Sequence, residues 1–320
     1  MSMKYNYLFG PVPSRRLGRS LGIDVTPDKS CSFDCLFCQC GETLEHTSVR
    51  NEVVPFQEVC AEIERWLAED GQADYITFAG SGEPTLYSRL GELIPFIKER
   101  TEIPVILLSN GTLMHRADVR EDAANADIVK LSLSAWDEES FRRVNRPAPG
   151  LTFRSTIEGE CAFRDEFNGQ LWLEVFLIRG VNDAPEQIRK IAELAKRIRP
   201  DKIHLNTVVR PPAETAAQPV EEETLISFCD LFTPRAEVIA SFKAAPATTK
   251  SELDPETLIG LIDRHPATAQ QLADIFGTNS SAIQIVLDPL VEENRLKKET
   301  RDGDVYYKPG VFMQKKSTNP

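Results

Sequence analysis

The sequence predicts an α/β protein: a partial parallel (β/α)6 barrel followed by a small C-terminal winged-helix-like domain. Six short runs rich in Val, Ile and Leu alternate with amphipathic helical patterns between about residues 20 and 210. Strand, helix, strand with loops of these lengths implies parallel strands joined by right-handed crossovers. Beyond residue 254 the pattern changes to three helices and a hairpin. Two domains of unequal size are therefore expected.

The predicted strands of the barrel are residues 20–25, 75–79, 105–109, 128–134, 171–178 and 202–207. Between them, residues 56–69 place Val59, Ile63 and Leu67 on one face at helical spacing, and residues 90–100 and 185–199 also have helical patterns. In parallel α/β folds the chemistry takes place where the strands run out at their carboxyl ends. We therefore expect functional residues in the loops that follow these six strands.

The predicted domain organisation has four segments. Residues 1–245 form the catalytic domain, and residues 246–254, within a stretch rich in Ala, Pro and Thr, form a linker. The winged-helix-like domain covers 255–312, with helices at 255–264, 268–276 and 280–293, and residues 313–320 are a flexible tail. Thr268 and Gln271 match a capping box, and Gly277 stands where the second of these helices should end.

Composition excludes several classes of protein. With 41% hydrophobic and 27% charged residues, the chain is not mostly disordered or collagen-like. No apolar run approaches the roughly 18 residues of a membrane span, and the start lacks an apolar signal core. We therefore expect a cytoplasmic protein without membrane contact. The net charge of −12 disfavours binding to polyphosphates except where basic residues cluster. Residues 1–30 are such an exception, with Lys4, Arg15, Arg16, Arg19 and Lys29 against Asp24 and Asp28.

The most informative segment is Cys31-Ser-Phe-Asp-Cys35-Leu-Phe-Cys38, in the loop after the first barrel strand. Three thiolates at these offsets can converge on one soft-metal centre, and three rather than four ligands leave a coordination position open. Structural zinc usually has four ligands, and Cys40 is awkwardly spaced to be the fourth. The remaining cysteines lie on apolar helix faces, where we expect them to be buried: Cys60, Cys161 and Cys229.

This array, with an aromatic residue before the third cysteine, resembles the signature of the radical SAM superfamily. Other segments resemble the same superfamily in the same order: GSGEPTL (80–86), LLSNG (107–111), VKLSLSAWDEESFRRVNRP (129–147), FLIRGVND (176–183) and LNTVVRPPAE (205–214). The resemblance spans about residues 5–215 and is strongest to the branch that contains the tRNA wyosine-base synthetases. Those enzymes are expected to carry a second cluster with cysteines upstream, whereas no cysteine precedes Cys31 in this chain.

The resemblance implies two cofactors, a [4Fe-4S] cluster held by Cys31, Cys35 and Cys38, and S-adenosyl-L-methionine. A reduced cluster would cleave S-adenosylmethionine to methionine and a 5′-deoxyadenosyl radical, with electrons from a donor such as flavodoxin or ferredoxin. It also implies a set of residues that bind S-adenosylmethionine. In this chain these are Gly82, Glu83 and Pro84 for the methionine ammonium group, Asn110 and Ser132 for the carboxylate or ribose, Phe37 and Val181 for adenine, and Asn182 beside it.

The candidate catalytic residues are Ser134, Arg146, His204 and Arg210. Ser134 stands where the nearest relatives often have Asp, and a neutral hydroxyl cannot take over the ionic roles of a carboxylate. Arg146 and Arg210, with Arg15, Arg16 and Arg19, are candidates for binding an anionic substrate. The expected substrate is a macromolecule, with modification of an RNA base favoured and modification of a peptide or protein as the alternative.

The C-terminal segment is poorly suited to reading DNA. Residues 280–293 contain no Lys or Arg, and from residue 251 onward acidic side chains outnumber basic ones by three. A DNA-recognition helix normally carries basic side chains toward the phosphates. We therefore expect this domain to bind a peptide, structured RNA or the catalytic domain, and not a specific DNA sequence. A non-catalytic metal-dependent regulator is a further alternative.

Overall fold

The computed structural model describes residues 5–14, 18–26, 29–69, 71–240, 255–264, 266–301 and 303–310. Within these ranges the chain has an α/β fold with a mostly parallel sheet. The predicted linker, 246–254, and the predicted tail, 313–320, lie outside the described residues, and so do Lys4, Arg15, Arg16 and Asp28.

The main sheet has eight strands within the described residues, and all six predicted barrel strands are present in it. Its order along the sheet is β1 (Leu8–Ser14), β2 (Gly18–Ile23), β5 (Tyr75–Phe78), β6 (Val105–Leu108), β7 (Ile128–Ser132), β8 (Gln170–Leu177), β9 (Lys202–Thr207) and β10 (Glu237–Val238). Two short strands, β3 (Ser30–Cys31) and β4 (Glu45–His46), form a separate parallel ribbon. Neighbours from β2 to β10 are parallel, as the sequence predicts.

Strand β1 is a feature that sequence reasoning missed. It pairs antiparallel with β2 at the edge of the sheet, with an irregularity between Phe9 and Val12. Its sequence, LFGPVPS, contains a glycine and two prolines, which normally argue against a strand. Proline is tolerated at a sheet edge because no partner there needs its missing N–H. The same residues that hide the strand in the sequence thus suit it to this edge.

Seven helices accompany the sheet over residues 56–228. They are α1 (Phe56–Glu69), α2 (Leu90–Lys98), α3 (Ala117–Ala123), α4 (Glu138–Val144), α5 (Phe153–Glu166), α6 (Pro185–Ile198) and α7 (Glu222–Phe228). Their apolar residues share one buried cluster with alternate residues of the strands, such as Leu21 and Ile23 of β2. Cys60 and Cys229 belong to this cluster as expected. The prediction for Cys161 was wrong: it packs against the cluster but is only partly buried, because its thiol points to the more exposed carbonyl of Arg197 at 3.6 Å.

The sheet curls into a partial barrel. Ser20 and Gly22 of β2 line the same cavity as Asn206 of β9, although four strands separate β2 from β9 in the sheet. Side chains in a strand point alternately to opposite faces, so these residues face inward while Leu21 and Ile23 face the helices. A small apolar cluster of Ile106, Ile128 and Trp172 fills the interior near the amino ends of the strands. The cavity therefore lies toward the carboxyl ends.

Residues 255–310, called here the C-terminal unit, have their own hydrophobic cluster. Their elements are α8 (Pro255–Arg264), β11 (Ala267–Thr268), α9 (Ala269–Phe276), α10 (Ser280–Glu292), β12 (Leu296–Arg301) and β13 (Asp304–Pro309). Thr268 and Gln271 form the predicted capping box, and Gly277 ends α9 in the left-handed conformation. The likeness of this unit to a winged helix stays a prediction. Val12 of β1 packs against its cluster, so the unit contacts the edge of the barrel.

Replacing Phe78 by Ala should destabilise the protein strongly. Phe78 is fully buried in β5 on the face toward the helices. Truncation of a buried Phe typically costs about 3–5 kcal/mol. Urea denaturation should show that loss, while Leu44→Ala, at a side chain that is 76% exposed, should change stability by less than about 0.5 kcal/mol. A loss below about 1 kcal/mol for Phe78→Ala would contradict the packing described here.

Candidate active site

A cavity of about 410 Å³ opens at the carboxyl ends of the strands. One end is lined by Cys31, Cys38 and Cys40, together with the loop from Gly80 to Gly82. The other end is lined by polar and aromatic residues of β7, β8 and β9. The cavity thus connects the cysteine loop after β2 with the interior of the barrel.

The loop that carries the three cysteines is held by backbone contacts on both sides. On one side, Cys31 lies in β3, and its carbonyl accepts a hydrogen bond from the N–H of Thr47. On the other side, the end of α4 covers the loop, because the N–H of Leu36 donates to the carbonyl of Val144 at 3.2 Å. Between these supports the N–H of Cys38 donates to the carbonyl of Cys35 in a tight turn. The thiols are therefore attached to a fixed backbone.

Hydrogen-bond donors also reach the sulfur atoms. The N–H of Phe33 lies 3.4 Å from Cys31 Sγ, and Asn110 Nδ2 lies 3.7 Å from the same atom. Asn145 Nδ2 lies 3.5 Å from Cys35 Sγ. Donors around a thiolate stabilise its negative charge and orient it toward a metal. Asn145 was not among the residues predicted from the sequence, although it belongs to the VNRP segment that was singled out.

The environment of the thiols differs from one to the next. Burial raises the pKa of Cys31 to about 12 and also raises the pKa of Cys35. A hydrogen bond from Cys40 lowers the pKa of Cys38 to about 6, and the nearby positive charge of Lys29 acts in the same direction. Metal binding to Cys31 and Cys35 must therefore displace protons, so that acid opposes it.

The donor set suits an iron–sulfur cluster. Three thiols lie in one loop beside a cavity, and thiolates are the ligands that such clusters take. Among the described residues, no three Cys, His, Asp or Glu side chains converge on a single ion. A four-iron cluster does not require such convergence, because each thiolate binds a different iron.

The loop after β5 lies close against the cysteine loop. The N–H of Gly82 donates to Thr26 Oγ1 at 3.0 Å, and the N–H of Glu83 donates to the carbonyl of Ser30 at 3.0 Å. A Cβ atom on Gly82 would lie 1.9 Å from that Ser30 carbonyl oxygen. Only glycine permits this approach, so the glycine of the sequence motif has a steric role. Asp24 holds the same loop by accepting from the Ser81 hydroxyl at 3.1 Å.

Glu83 joins two strand exits and does not line the cavity. Its buried carboxylate accepts hydrogen bonds from the backbone N–H and hydroxyl of Thr85, the Ser109 hydroxyl and the Asn110 N–H. Burial raises its pKa, while these donors act in the opposite direction. Pro84 begins the short 3₁₀ turn that follows and is also buried. Glu83 therefore fixes the β5 and β6 exit loops to each other.

Of the other residues predicted to contact S-adenosylmethionine, some line the cavity and some do not. Phe37 and Gly82 line the cavity, and Phe37 stacks on Phe176 with 4.1 Å between ring centroids. Val181 packs beside Phe37, while Ser132 ends β7 and is partly exposed. Asn182 is fully buried, and both atoms of its amide are used by backbone groups, namely the carbonyls of Ser134 and Phe176 and the N–H of Ile178.

The candidate catalytic residues are not gathered at one place. Arg210 lines the cavity and donates to Gln39 Oε1 at 2.9 Å. Ser134 is buried outside the cavity lining, and no described residue forms a hydrogen bond with its hydroxyl. His204 is buried edge-on to Trp172, with ring centroids 5.4 Å apart. Arg146 is half-exposed and forms ion pairs with Asp34 and Glu214, which neutralise its charge.

Sequence reasoning missed a charged pair inside the barrel. Lys130 Nζ lies 2.6 Å from Glu174 Oε2, and Asn206 Nδ2 lies 3.2 Å from Glu174 Oε1. All three residues line the cavity, and both charged side chains are nearly buried. The sequence contained an indication of this pair, because each of two mostly apolar strands carries one charged residue. Since side chains alternate between the two faces of a strand, both charges fall on the inner face of the barrel. These residues give the cavity a polar floor.

The cavity wall includes residues that are distant in the sequence. Phe9 and Val12 of β1 lie on it beside Leu261 of α8 and Ile275 of α9. These four side chains cover the side of the barrel where the first and last strands do not meet. The C-terminal unit therefore forms part of the site.

Comparison with known proteins identifies the family. A model of the Radical SAM superfamily matches residues 26–202. The chain belongs to this superfamily. Its members are enzymes that use a [4Fe-4S] cluster and S-adenosylmethionine, which agrees with the cofactors expected from the sequence. This radical SAM protein is 31% identical over 320 residues to the UPF0026 protein of Methanocaldococcus jannaschii, covering 98% of this chain and 99% of that one.

The radical SAM protein is also similar to a second curated protein and to a solved structure. It is 35% identical over 309 residues to a Brachyspira hyodysenteriae protein described as GTPase Obg, covering 95% of this chain but 45% of that protein. Among solved structures, Streptococcus suis SuiB bound to its precursor peptide SuiA has a TM-score of 0.52 at 16% identity, covering 73% of this chain and 54% of that chain. This likeness shows a shared fold.

The described helices of the radical SAM protein include none with the length and hydrophobicity of a membrane span.

An unpartnered carboxyl group lies behind the site. Glu160 of α5 is completely buried, and neither of its oxygens has a hydrogen-bond partner in the part of the chain that the structure describes. It packs under Gly111, where a Cβ would lie 2.2 Å from Glu160 Oε1 and the backbone φ is +83°. Burial raises the pKa of Glu160 well above its ordinary value. Burial therefore favours the neutral acid over the carboxylate in the folded protein.

Replacing Glu160 by Leu should stabilise the protein in a pH-dependent way. An unfolded chain ionises this carboxyl above about pH 4.3, whereas the folded state resists ionisation, so wild-type stability falls as pH rises above that value. Leu cannot ionise, so the variant avoids this pH-dependent loss of stability, and the Leu side chain has a volume similar to that of Glu. Urea denaturation at pH 5 and pH 8 should show a larger gain at pH 8. An equal effect at both pH values would show that Glu160 is ionised when folded.

Proposed function

We propose that Cys31, Cys35 and Cys38 hold the [4Fe-4S] cluster and that S-adenosylmethionine binds in the adjoining cavity. The observation that carries this assignment is the single cavity, which joins the cysteine loop to the Gly80–Gly82 loop and the barrel interior. When bound and reduced, the two cofactors supply a 5′-deoxyadenosyl radical that removes a hydrogen atom from a substrate.

The protein's residues would orient these cofactors. Asn110 and Asn145 direct their amide groups at the sulfurs of Cys31 and Cys35. Since the Glu83 carboxylate already accepts four hydrogen bonds, the methionine ammonium group would be received by backbone carbonyls of the Gly80–Gly82 loop. Phe37 offers an apolar surface for adenine. The carboxylate or ribose would contact Ser132 near the end of β7.

The electron donor is proposed to be a small redox protein such as flavodoxin or ferredoxin. Its electrons would enter through the ribbon of β3 and β4, because both residues of β4 are exposed and β4 pairs directly with the strand that contains Cys31. This ribbon is a thin cover over the proposed cluster. The rest of the loop is enclosed by α4 and the β5 exit loop.

For the substrate, modification of an RNA base is proposed. Lys130, Glu174 and Asn206 place an ammonium donor, a carboxylate acceptor and an amide side by side on the cavity floor. The edge of a nucleobase presents donors and acceptors in such a row, and Trp172 provides an aromatic face beside it. The ring would enter the cavity after leaving its stack.

A peptide is the second candidate, favoured by the C-terminal unit. Its helices α8 and α9 border the cavity, and its acidic side chains outnumber basic ones. A surface of this charge repels phosphates and attracts a basic peptide segment. Membership of an enzyme superfamily argues against the third alternative, a regulator without catalysis.

Replacing Cys31, Cys35 and Cys38 by Ala should abolish cluster binding and S-adenosylmethionine cleavage. Anaerobically reconstituted wild type should contain about four irons per chain, and the triple variant close to none. Iron analysis and chromatography of 5′-deoxyadenosine measure the two effects. Cys60→Ala is the matched control: Cys60 lies on the buried face of α1, away from the cavity, so this variant should keep both properties. Iron and cleavage retained by the triple variant would refute the assignment.

The double variant Lys130→Met with Glu174→Met should lose substrate modification while it still cleaves S-adenosylmethionine. Removing both charges avoids an unpaired buried charge. A hydrogen bond to a charged group contributes roughly 1.5–3 kcal/mol, so modification should fall about tenfold or more. Mass spectrometry of RNA and peptides from cells carrying wild type, the double variant or the cysteine variant measures it. An unchanged product level in the double variant would exclude this floor as the substrate site.

The same mass spectra distinguish the two substrate classes. RNA modification predicts a nucleoside whose mass changes in the cysteine variant, whereas peptide modification predicts the change among peptides. A difference confined to peptides would overturn the proposed RNA substrate.

A further inference from the structure

Lys29 is a buried cation at the cysteine end of the cavity. It is 5% exposed, lines the cavity and precedes Cys31 by two residues. Its backbone has φ of +52°, a left-handed conformation that is uncommon for residues other than glycine. Two hydrogen bonds hold the next residue, Ser30: its carbonyl accepts from the Glu83 N–H, and its hydroxyl donates to the Glu45 carboxylate. The chain thus holds Lys29 inward in a conformation that it would not adopt spontaneously.

Among the described residues, no oxygen or nitrogen atom accepts a hydrogen bond from the Lys29 ammonium group, which lies against the Cys38 thiol instead. A buried charge without a charged partner is strongly unfavourable. The folded protein therefore contains a positive charge that no described carboxylate neutralises.

The groups that face Lys29 are thiols. Cys31, Cys38 and Cys40 line the same cavity as Lys29, and Cys31 follows Lys29 by two residues. Thiols that become thiolates on binding metal would provide the missing negative charge.

We propose that Lys29 is the counter-charge of the iron–sulfur cluster: its ammonium group pairs with the thiolate-ligated cluster and raises the cluster's reduction potential. This inference rests on the proposed ligands Cys31, Cys35 and Cys38. Reduction adds one electron to the cluster, and a fixed positive charge in a buried site stabilises the reduced form more than the oxidised form. Lys29 is a positioning residue in this role, because it acts through the cluster and donates no electron or hydrogen atom itself.

The experiment is an anaerobic redox titration of the reconstituted cluster, followed by electron paramagnetic resonance and without S-adenosylmethionine. Lys29→Met should lower the midpoint potential, with at least a tenfold change in the equilibrium constant for reduction, about 59 mV for one electron. Lys29→Arg should stay near the wild type because it keeps the charge. Lys190→Met is the matched control, since Lys190 is exposed on α6 and pairs with Glu186.

The stability of the cluster-free protein separates this role from a merely structural one. Without the cluster Lys29 is an unpaired buried charge, so Lys29→Met should raise the melting temperature of the apoprotein or leave it unchanged. A structural role of Lys29 in holding the loop predicts a lower melting temperature. A marked drop would therefore overturn the inference, and this measurement does not depend on the cluster.

Two further outcomes would also overturn it. A Lys29→Met protein with four irons and the wild-type potential would show that Lys29 is not the counter-charge, while the cysteine assignment would stand. A shift that appears only after S-adenosylmethionine is added would assign the ammonium to the carboxylate of that cofactor. Failure of the cysteine assignment itself is recognised separately, by iron retained in the triple cysteine variant.

Discussion

The site depends on parallel pairing of β2, β5 and β6, because parallel strands bring their exit loops to one edge of the sheet. The exit of β2 carries the cysteines, the exit of β5 carries the glycine loop, and the exit of β6 carries Asn110. Glu83 fastens these last two loops together, and the backbone contact between Gly82 and Ser30 joins them to the first. Cys31 and Leu108, which are 77 positions apart in the sequence, thereby line the same cavity.

The sequence predicts the fold well because strands and helices leave local patterns in it. Alternating strand and helix signals locate all six barrel strands, and the spacing of Cys31, Cys35 and Cys38 indicates metal chemistry. Loop-by-loop resemblance is less informative about what each side chain does. Glu83 and Asn182 were expected to contact a cofactor, yet the polar atoms of both are satisfied by neighbouring loops. Only three-dimensional neighbours show how a buried polar group is used.

Long-range features were the least predictable. Strand β1 is hidden by its prolines, and the contribution of Leu261 and Ile275 to the cavity wall leaves no trace in either segment's own sequence. The pair Lys130 and Glu174 was detectable in principle from charges in buried strands. Its partnership across two adjacent strands, however, follows from register, which places Lys130 beside Trp172 and Ser132 beside Glu174. Inferring the pair requires knowing both strands and their alignment.

Because two residues that line the cavity, Leu261 and Ile275, lie beyond residue 255, the order of synthesis bears on how the enzyme matures. A nascent chain that has just released β9 from the ribosome already contains the complete cysteine loop and its supporting asparagines. The covering helices α8 and α9 are made only after β9 and β10. During this interval the cysteine loop would lie beside an open-sided chamber, accessible to the machinery that assembles the proposed cluster. Synthesis of α8 and α9 would then close the chamber.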